Sequence, residues 1–320
     1  MSNIFFVCAL IAIELIYFRI ARFYKILDHP NNRSLHEKPT IRGGGIIFYL
    51  SALLFYVLTF KSDPYFIIAL SIVSIVGFVD DMRSLSSILR FVVQSIAFAL
   101  VLFNLNAELS YWILILILIL SVGILNAFNF MDGINGLTGG YGFIALASIL
   151  VVNVYHFNFI ESDFIYSIIA AVVVFCYFNF RTKAVCFAGD IGSLSLGFVI
   201  IFLLTRLILS SFNFMFVFFL TVYGVDSVLT ILHRLIRKEN IFKAHRLHFF
   251  QIIVSSGRVS HVQMSILYMI VQLIINVALI SSLNLPLLWQ YSIGLVMTLL
   301  IALLYIFVKI HFMKFKGSTV

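Results

Sequence analysis

Eleven long apolar runs follow one another down this chain, at roughly 3–22, 43–60, 64–79, 87–104, 109–128, 136–155, 163–180, 191–209, 212–233, 263–282 and 288–310. A bilayer span needs about 20 mostly apolar residues, so the runs predict a bundle of membrane-spanning helices with little chain left for a soluble domain. Barrel strands would instead alternate in pieces of about ten residues. A mean hydropathy of +1.13 with 11% charged residues excludes an ordinary soluble domain. The expected fold is an all-α polytopic integral membrane protein of about eleven transmembrane helices, forming one domain over residues 1–320.

The basic residues orient it. With the loops 23–42, 80–86, 129–135, 181–190 and 234–262 and the tail 309–320 on one side, that side holds 19 of the 21 Lys and Arg. Only Lys61 and Arg206 lie towards the other, whose short loops carry Asp63, Glu108, Glu161 and Asp163. Positive charge marks the cytoplasmic face, which puts the N-terminus outside and the C-terminus and polar loops inside. The first run has no basic start, and Arg19, Arg22 and Lys25 follow it, so it reads as a retained helix rather than a signal peptide. The net charge of +8 is spread over loops beside a membrane. Anionic headgroups and phosphorylated substrates suit it better than nucleic acid. Cys8, Cys176 and Cys186 show no CxxC spacing.

Against that background the acids stand out. Asp80 and Asp81 end one apolar run, Asp132 follows another and Asp190 precedes a third. Carboxylates kept at the edge of hydrocarbon need a reason. A helix cap needs one Asp, and two side by side favour a metal or general-base role over capping. Ten residues after Asp80, Arg90 and then Gln94 lie one turn apart on one helical face. In Asn126-Ala-Phe-Asn-Phe-Met-Asp-Gly-Ile-Asn135 the polar residues recur every third position, predicting one face of a helical or 3₁₀ turn. Its carboxylate and amide oxygens are the hard ligands that Mg²⁺ prefers. The first loop, Asp28 to Gly45, brings Arg42 and three glycines to the start of a helix, where backbone N–H groups suit an anion. The fifth loop contains Ala244-His-Arg-Leu-His248, whose imidazoles and guanidinium suit phosphate better than zinc. Two acids lie within spans. Asp226, about two turns before Arg234, reads as the partner of that arginine, and Glu14 has no evident role.

Taken together, Arg33-Ser-Leu-His, Pro39-Thr-Ile-Arg-Gly-Gly-Gly45, Asp80-Asp81, Asn126 to Gly136, Gly189-Asp-Ile-Gly-Ser and Ala244-His-Arg-Leu-His resemble the polyprenyl-phosphate N-acetylhexosamine-1-phosphate transferases. That superfamily includes the phospho-MurNAc-pentapeptide translocase. The Ala-His-Arg-x-His form is most similar to the branch that initiates O-antigen and lipopolysaccharide.

The resemblance implies transfer of a sugar-1-phosphate from a UDP-N-acetylhexosamine to undecaprenyl phosphate at the bacterial inner membrane. The active site would face the cytoplasm, with Mg²⁺ as cofactor and Mn²⁺ as a substitute. Dimers are common among such proteins, so a homodimer is the implied assembly. By position, Asp190 and Asn129 match metal-site residues. Asp80 matches the base that deprotonates the lipid phosphate, with Asp81 and Asp132 as further catalytic acids. Arg42, Arg90, His245, Arg246 and His248 match phosphate or sugar contacts, and Asn135 stands where many relatives have an Asp beside uracil. One displacement and an aspartyl intermediate both remain open. A transporter would place its polar groups near the midplane, and an inactive scaffold would have no need of all four acids.

Overall fold

The computed structural model describes residues 3–30, 38–59, 63–105, 109–240 and 246–317. Within them the chain is almost wholly helical: α1 (Asn3–Phe23), α2 (Ile46–Thr59), α3 (Pro64–Met82), α4 (Ser87–Asn104), α5 (Tyr111–Met131), α6 (Leu137–Tyr155), α7 (Ser162–Asn179), α8 (Gly189–Ser211), α9 (Thr221–Ile236), α10 (Phe249–Ser255), α11 (His261–Ser281) and α12 (Leu287–Gly317). A 3₁₀ segment, Phe214–Leu220, leads straight into α9. The only strands among the described residues are β1 (Leu27–Asp28) and β2 (Thr40–Ile41), an antiparallel pair. Arg33 to His36, Lys61, Glu108, Lys243 and His245 lie outside the described residues.

Helix starts follow local chemistry. Asp63 accepts the N–H groups of Tyr65 at 2.8 Å and Phe66 at 3.3 Å, with Pro64 at the first helical position. Ser86 accepts the Leu89 N–H at 3.2 Å, and Ser260 and Gln263 form a capping box at α11.

The all-α polytopic reading holds, with one change in the count. Among the described residues ten helical segments are long and apolar enough to cross a membrane, Phe214–Ile236 among them. The run expected at 43–60 yields only the 14 residues of α2. At 1.5 Å per residue that is roughly 21 Å, short of a hydrocarbon core of about 30 Å. The reason is local, because Ile41 and the turn Gly43–Gly45 bond to the segment before α8: Phe187 N–H donates to Ile41 C=O at 2.8 Å, and Gly44 and Gly45 N–H donate to Phe187 and Ala188 C=O at 2.8 and 3.1 Å.

Helix α8 is the central element: 83% of its apolar window is buried, against 17% for α12 on the periphery. Lipid tails are as apolar as leucine, so helices in a bilayer associate through close packing rather than hydrophobic exclusion. Two glycine contacts supply it. A Cβ on Gly45 would lie 2.3 Å from Gly192 Cα, and one on Gly77 would lie 2.9 Å from Ile191 Cα. These contacts let α2 and α3 touch the first turn of α8, and that turn carries Asp190.

Candidate active site

The four acids singled out in the sequence gather where α3 and α5 end and α8 begins. Gly77, one turn before Asp81 on α3, brings that acid against the start of α8. Asp81 Oδ1 accepts the Asp190 N–H at 2.8 Å, and Oδ2 accepts the Ile191 N–H at 3.1 Å. The free N–H groups of a helix start carry positive charge that a carboxylate offsets. Asp81 therefore caps a helix more than a hundred residues away in sequence. Its Oδ1 also accepts from Arg42 Nε at 2.6 Å, and its side chain is 0% exposed. Both oxygens of Asp81 are thus engaged, by the start of α8 and by Arg42.

Arg42 is held at both ends. Its C=O accepts from the Tyr17 hydroxyl at 2.6 Å, and its Nη2 lies 3.5 Å from Asp190 Oδ2. The carboxylates of Asp81 and Asp190 raise the Arg42 pKa further, outweighing the opposing effect of burial. Asp190 Oδ1 accepts from Asn129 Nδ2 at 2.8 Å, and the same nitrogen lies 3.1 Å from Ser193 Oγ. Unlike Asp81, Asp190 keeps 21% of its side chain exposed, so it can still take a ligand. Asp80 has its own partners: Oδ1 accepts the Leu85 N–H at 2.5 Å and Oδ2 meets Arg90 Nη1 at 3.0 Å. Gln94, on the same face of α4 as Arg90, accepts from Asn126 Nδ2 at 2.7 Å. The expected shared face of Arg90 and Gln94 is therefore present.

The three-residue spacing of 126, 129, 132 and 135 does not produce one face. Helix α5 ends at Met131, and Asp132 has φ −77° and ψ 78°, outside helical space. The four residues go to different partners. Asp132 Oδ1 accepts from the Thr138 hydroxyl at 2.7 Å. Burial raises the Asp132 pKa to about 6, against the Thr138 hydrogen bond. Asn135 donates from Nδ2 to the C=O of Arg181 at 2.8 Å and of Thr182 at 3.3 Å, which fixes the loop before α8.

The glycine loop also differs from expectation. The Gly44 and Gly45 N–H groups, expected to face an anion, are paired with Phe187 and Ala188. Behind them the buried Glu14 places Oε1 3.8 Å from Cys186 Sγ.

Residues 64–208, the stretch from the first turn of α3 to the last of α8, match the family model described as Glycosyl transferase family 4. The chain is 28% identical over 273 residues to a probable undecaprenyl-phosphate N-acetylglucosaminyl 1-phosphate transferase of Bacillus subtilis, covering 79% of this chain and 76% of the relative. It is 31% identical to a phospho-N-acetylmuramoyl-pentapeptide-transferase of Listeria monocytogenes, over 51% of this chain and 60% of the relative. A decaprenyl-phosphate N-acetylglucosaminephosphotransferase of Mycobacterium leprae is 26% identical, over 57% and 54%. The stretch matched by that family model takes in Asp80, Asp81, Asn129, Asp132 and Asp190.

The fifth loop departs from the sequence reading. His245 lies outside the described residues, and Arg246 is partly buried in the turn that leads to α10. Asp226 does not pair with Arg234, which contacts Glu239 Oε2 at 3.3 Å and the Asn240 C=O at 2.5 Å. Its partner is His248, with Nδ1 3.3 Å from Asp226 Oδ1. One helix turn separates positions three or four apart, so two turns carry Asp226 and Arg234 along the same face but out of reach of each other.

Sequence reasoning also missed Thr138 and Asn179. Asn179 accepts the Gly136 N–H at 2.8 Å and donates to the Cys186 C=O at 2.8 Å, joining two loops. Nothing in the pattern around these residues marks them out, since each is a small polar residue near a helix end.

Proposed function

We propose that this protein transfers N-acetylhexosamine-1-phosphate from a UDP-sugar to undecaprenyl phosphate. The products would be undecaprenyl-diphosphate-sugar and UMP, in the lipid-linked initiating step of cell-envelope polysaccharide synthesis. The observation that carries the reading is the pairing of Asp80 with Arg90 and of Asp190 with Arg42 and Asn129, at one end of the bundle. Just inside it lies an apolar cavity of about 320 Å³ lined by Ile124, Ala127, Phe128, Phe218, Tyr223 and Val228, among others. Phe128 of that lining is the chain neighbour of Asn129. A polyprenyl tail requires an apolar slot, and its phosphate requires cations.

The acceptor phosphate and the donor diphosphate are both anionic, so transfer needs positioning and charge compensation more than covalent help from the protein. In this scheme Asp80 accepts the proton of the lipid phosphate; each of its oxygens keeps a second lone pair beside the hydrogen bond it already takes. Arg90 holds that phosphate and Arg42 the donor. A lipid phosphate oxygen then bonds to the sugar-bearing phosphorus, and the bond to UMP breaks. Arg246 and His248 would add contacts to the phosphates or the sugar.

The residues fit a magnesium ion by donor chemistry. Among the described residues no set of three or more His, Cys, Asp or Glu forms a complete protein cage. Mg²⁺ commonly takes one or two carboxylates and completes its shell with water and substrate phosphates. Asp190, with Asn129 beside it, would hold the ion, which when bound supplies charge neutralisation at the diphosphate.

The test is UMP release by purified protein, with a panel of UDP-N-acetylhexosamines, with and without undecaprenyl phosphate and Mg²⁺. Release that requires both supports the reading and names the sugar; the names of the Bacillus and Mycobacterium relatives make UDP-N-acetylglucosamine the first donor to try. No release with any donor from folded protein overturns it. The bias of Lys and Arg supports a cytoplasmic site at the inner membrane.

A further inference from the structure

Asp226 lies within a membrane-spanning helix and is 1% exposed. A buried carboxylate is costly unless it is thoroughly hydrogen-bonded, and five polar groups surround this one. Oδ1 accepts the Phe249 N–H at 3.0 Å and lies 3.2 Å from Thr230 Oγ1, 3.3 Å from His248 Nδ1 and 3.4 Å from the Tyr305 hydroxyl. Oδ2 accepts from the Tyr268 hydroxyl at 2.7 Å. Lys309 is 5% exposed on α12, otherwise the most peripheral helix. It donates to the Tyr305 hydroxyl at 2.7 Å and to the Leu247 C=O at 2.8 Å. No step of the proposed reaction uses Asp226, Tyr305 or Lys309.

What these groups hold in common is the turn Leu247–Phe249. On its other side that turn meets the end of α5. The His248 ring lies 6.5 Å from the Phe130 ring and 5.8 Å from the Phe250 ring, and Phe250 packs where a Cβ on Gly133 would come within 2.8 Å. Phe130 follows Asn129 directly, and Gly133 follows Asp132.

We propose that Asp226, Tyr305 and Lys309 are positioning residues: they clamp the Leu247–Phe249 turn, with His248, against the end of α5, and so set how tightly the diphosphate of the nucleotide sugar is gripped. The inference rests on the transferase reading above. It makes α12 part of the functional apparatus although α12 contributes nothing to the carboxylate cluster.

The experiment compares wild type with Lys309→Met and Lys309→Arg, using UDP-N-acetylglucosamine and undecaprenyl phosphate, and follows amide exchange of peptides covering Leu247–Phe249. Loss of a charge-assisted hydrogen bond to a backbone carbonyl corresponds to roughly tenfold in the population of the clamped turn. In Lys309→Met the KM for the UDP-sugar rises by about that factor, the KM for undecaprenyl phosphate is unchanged, and exchange at Leu247–Phe249 accelerates while α8 stays protected. Lys309→Arg restores most of both. Equal changes in the two KM values, or wild-type KM and exchange in Lys309→Met, overturn the clamp. If wild type releases no UMP with any donor, the transferase reading fails, and exchange alone decides the clamp: unchanged exchange in Lys309→Met rejects it.

Discussion

The carboxylate of Asp81, on the last turn of α3, receives the backbone N–H of Asp190, on the first turn of α8, at 2.8 Å. One residue therefore both caps the central helix and sets where the neighbouring acid stands. Its side chain is sealed from solvent and also holds Arg42. The adjacent Asp80 instead pairs with Arg90 at the cleft. In the proposed reaction the two aspartates of one dipeptide thus divide support and chemistry between them.

Asp81→Ala leaves two helix N–H groups and a partly buried guanidinium without their acceptor. Leaving such groups unsatisfied costs about 1–3 kcal/mol each, so the detergent-solubilised variant is expected to unfold at lower temperature as well as lose activity. Asp80→Asn keeps an amide oxygen for the Leu85 N–H but removes the charge that pairs with Arg90, so it should lose turnover with a smaller fall in unfolding temperature than Asp81→Ala. Thermal unfolding followed beside UMP release separates the two. Equal destabilisation in both variants would contradict the division.

Asp190→Asn keeps the size of the side chain and its backbone contacts with Asp81, but removes the charge beside Arg42. Turnover should fall nearly to background while the protein still inserts and folds. Activity close to wild type at saturating Mg²⁺ would remove Asp190 from the proposed metal site.

Asp132 gives a pH signature in metal-free protein. Burial raises its pKa from 3.8 to about 6, so the native state holds this proton more tightly than the unfolded chain. That contribution is fully present below the unfolded value and is lost as pH rises through about 6. The unfolding temperature in chelator should therefore drop between about pH 4 and pH 6, and drop less in Asp132→Asn. Identical pH profiles for the two proteins would assign the dependence to other groups.

Gly77→Ala places a methyl group 2.9 Å from Ile191 Cα, against backbone rather than a flexible side chain. Overpacking of this kind costs about 1–3 kcal/mol. Because the contact also seats Asp81 on α8, the variant should lose activity together with stability. Gly123→Ala is the control, as nothing lies within 4 Å of a Cβ there.

The apolar runs, their number to within one and the clustering of acids at helix ends on one side were all legible along the chain. Hydrophobic length and the cost of charge near hydrocarbon act locally, so a linear reading captures them. The same holds for Arg90 and Gln94, whose shared face follows from helical spacing alone. The partners were not legible, because they are set by which helix lies beside which. Asp81 and Asp190 are 109 positions apart, and nothing near either one encodes a cap in trans. Gly43–Gly45 has the composition of an anion loop, yet the approach of residues 186–188 turns two of its N–H groups into pairing partners. Asp226 has an arginine two turns away on its own helix and pairs with His248 instead, because α11 and α12 close around that turn. Local sequence thus determined the helices and where charge is tolerated. Only the packing of those helices, at glycine contacts a methyl group would prevent, decided which acids support the fold and which remain open to a ligand.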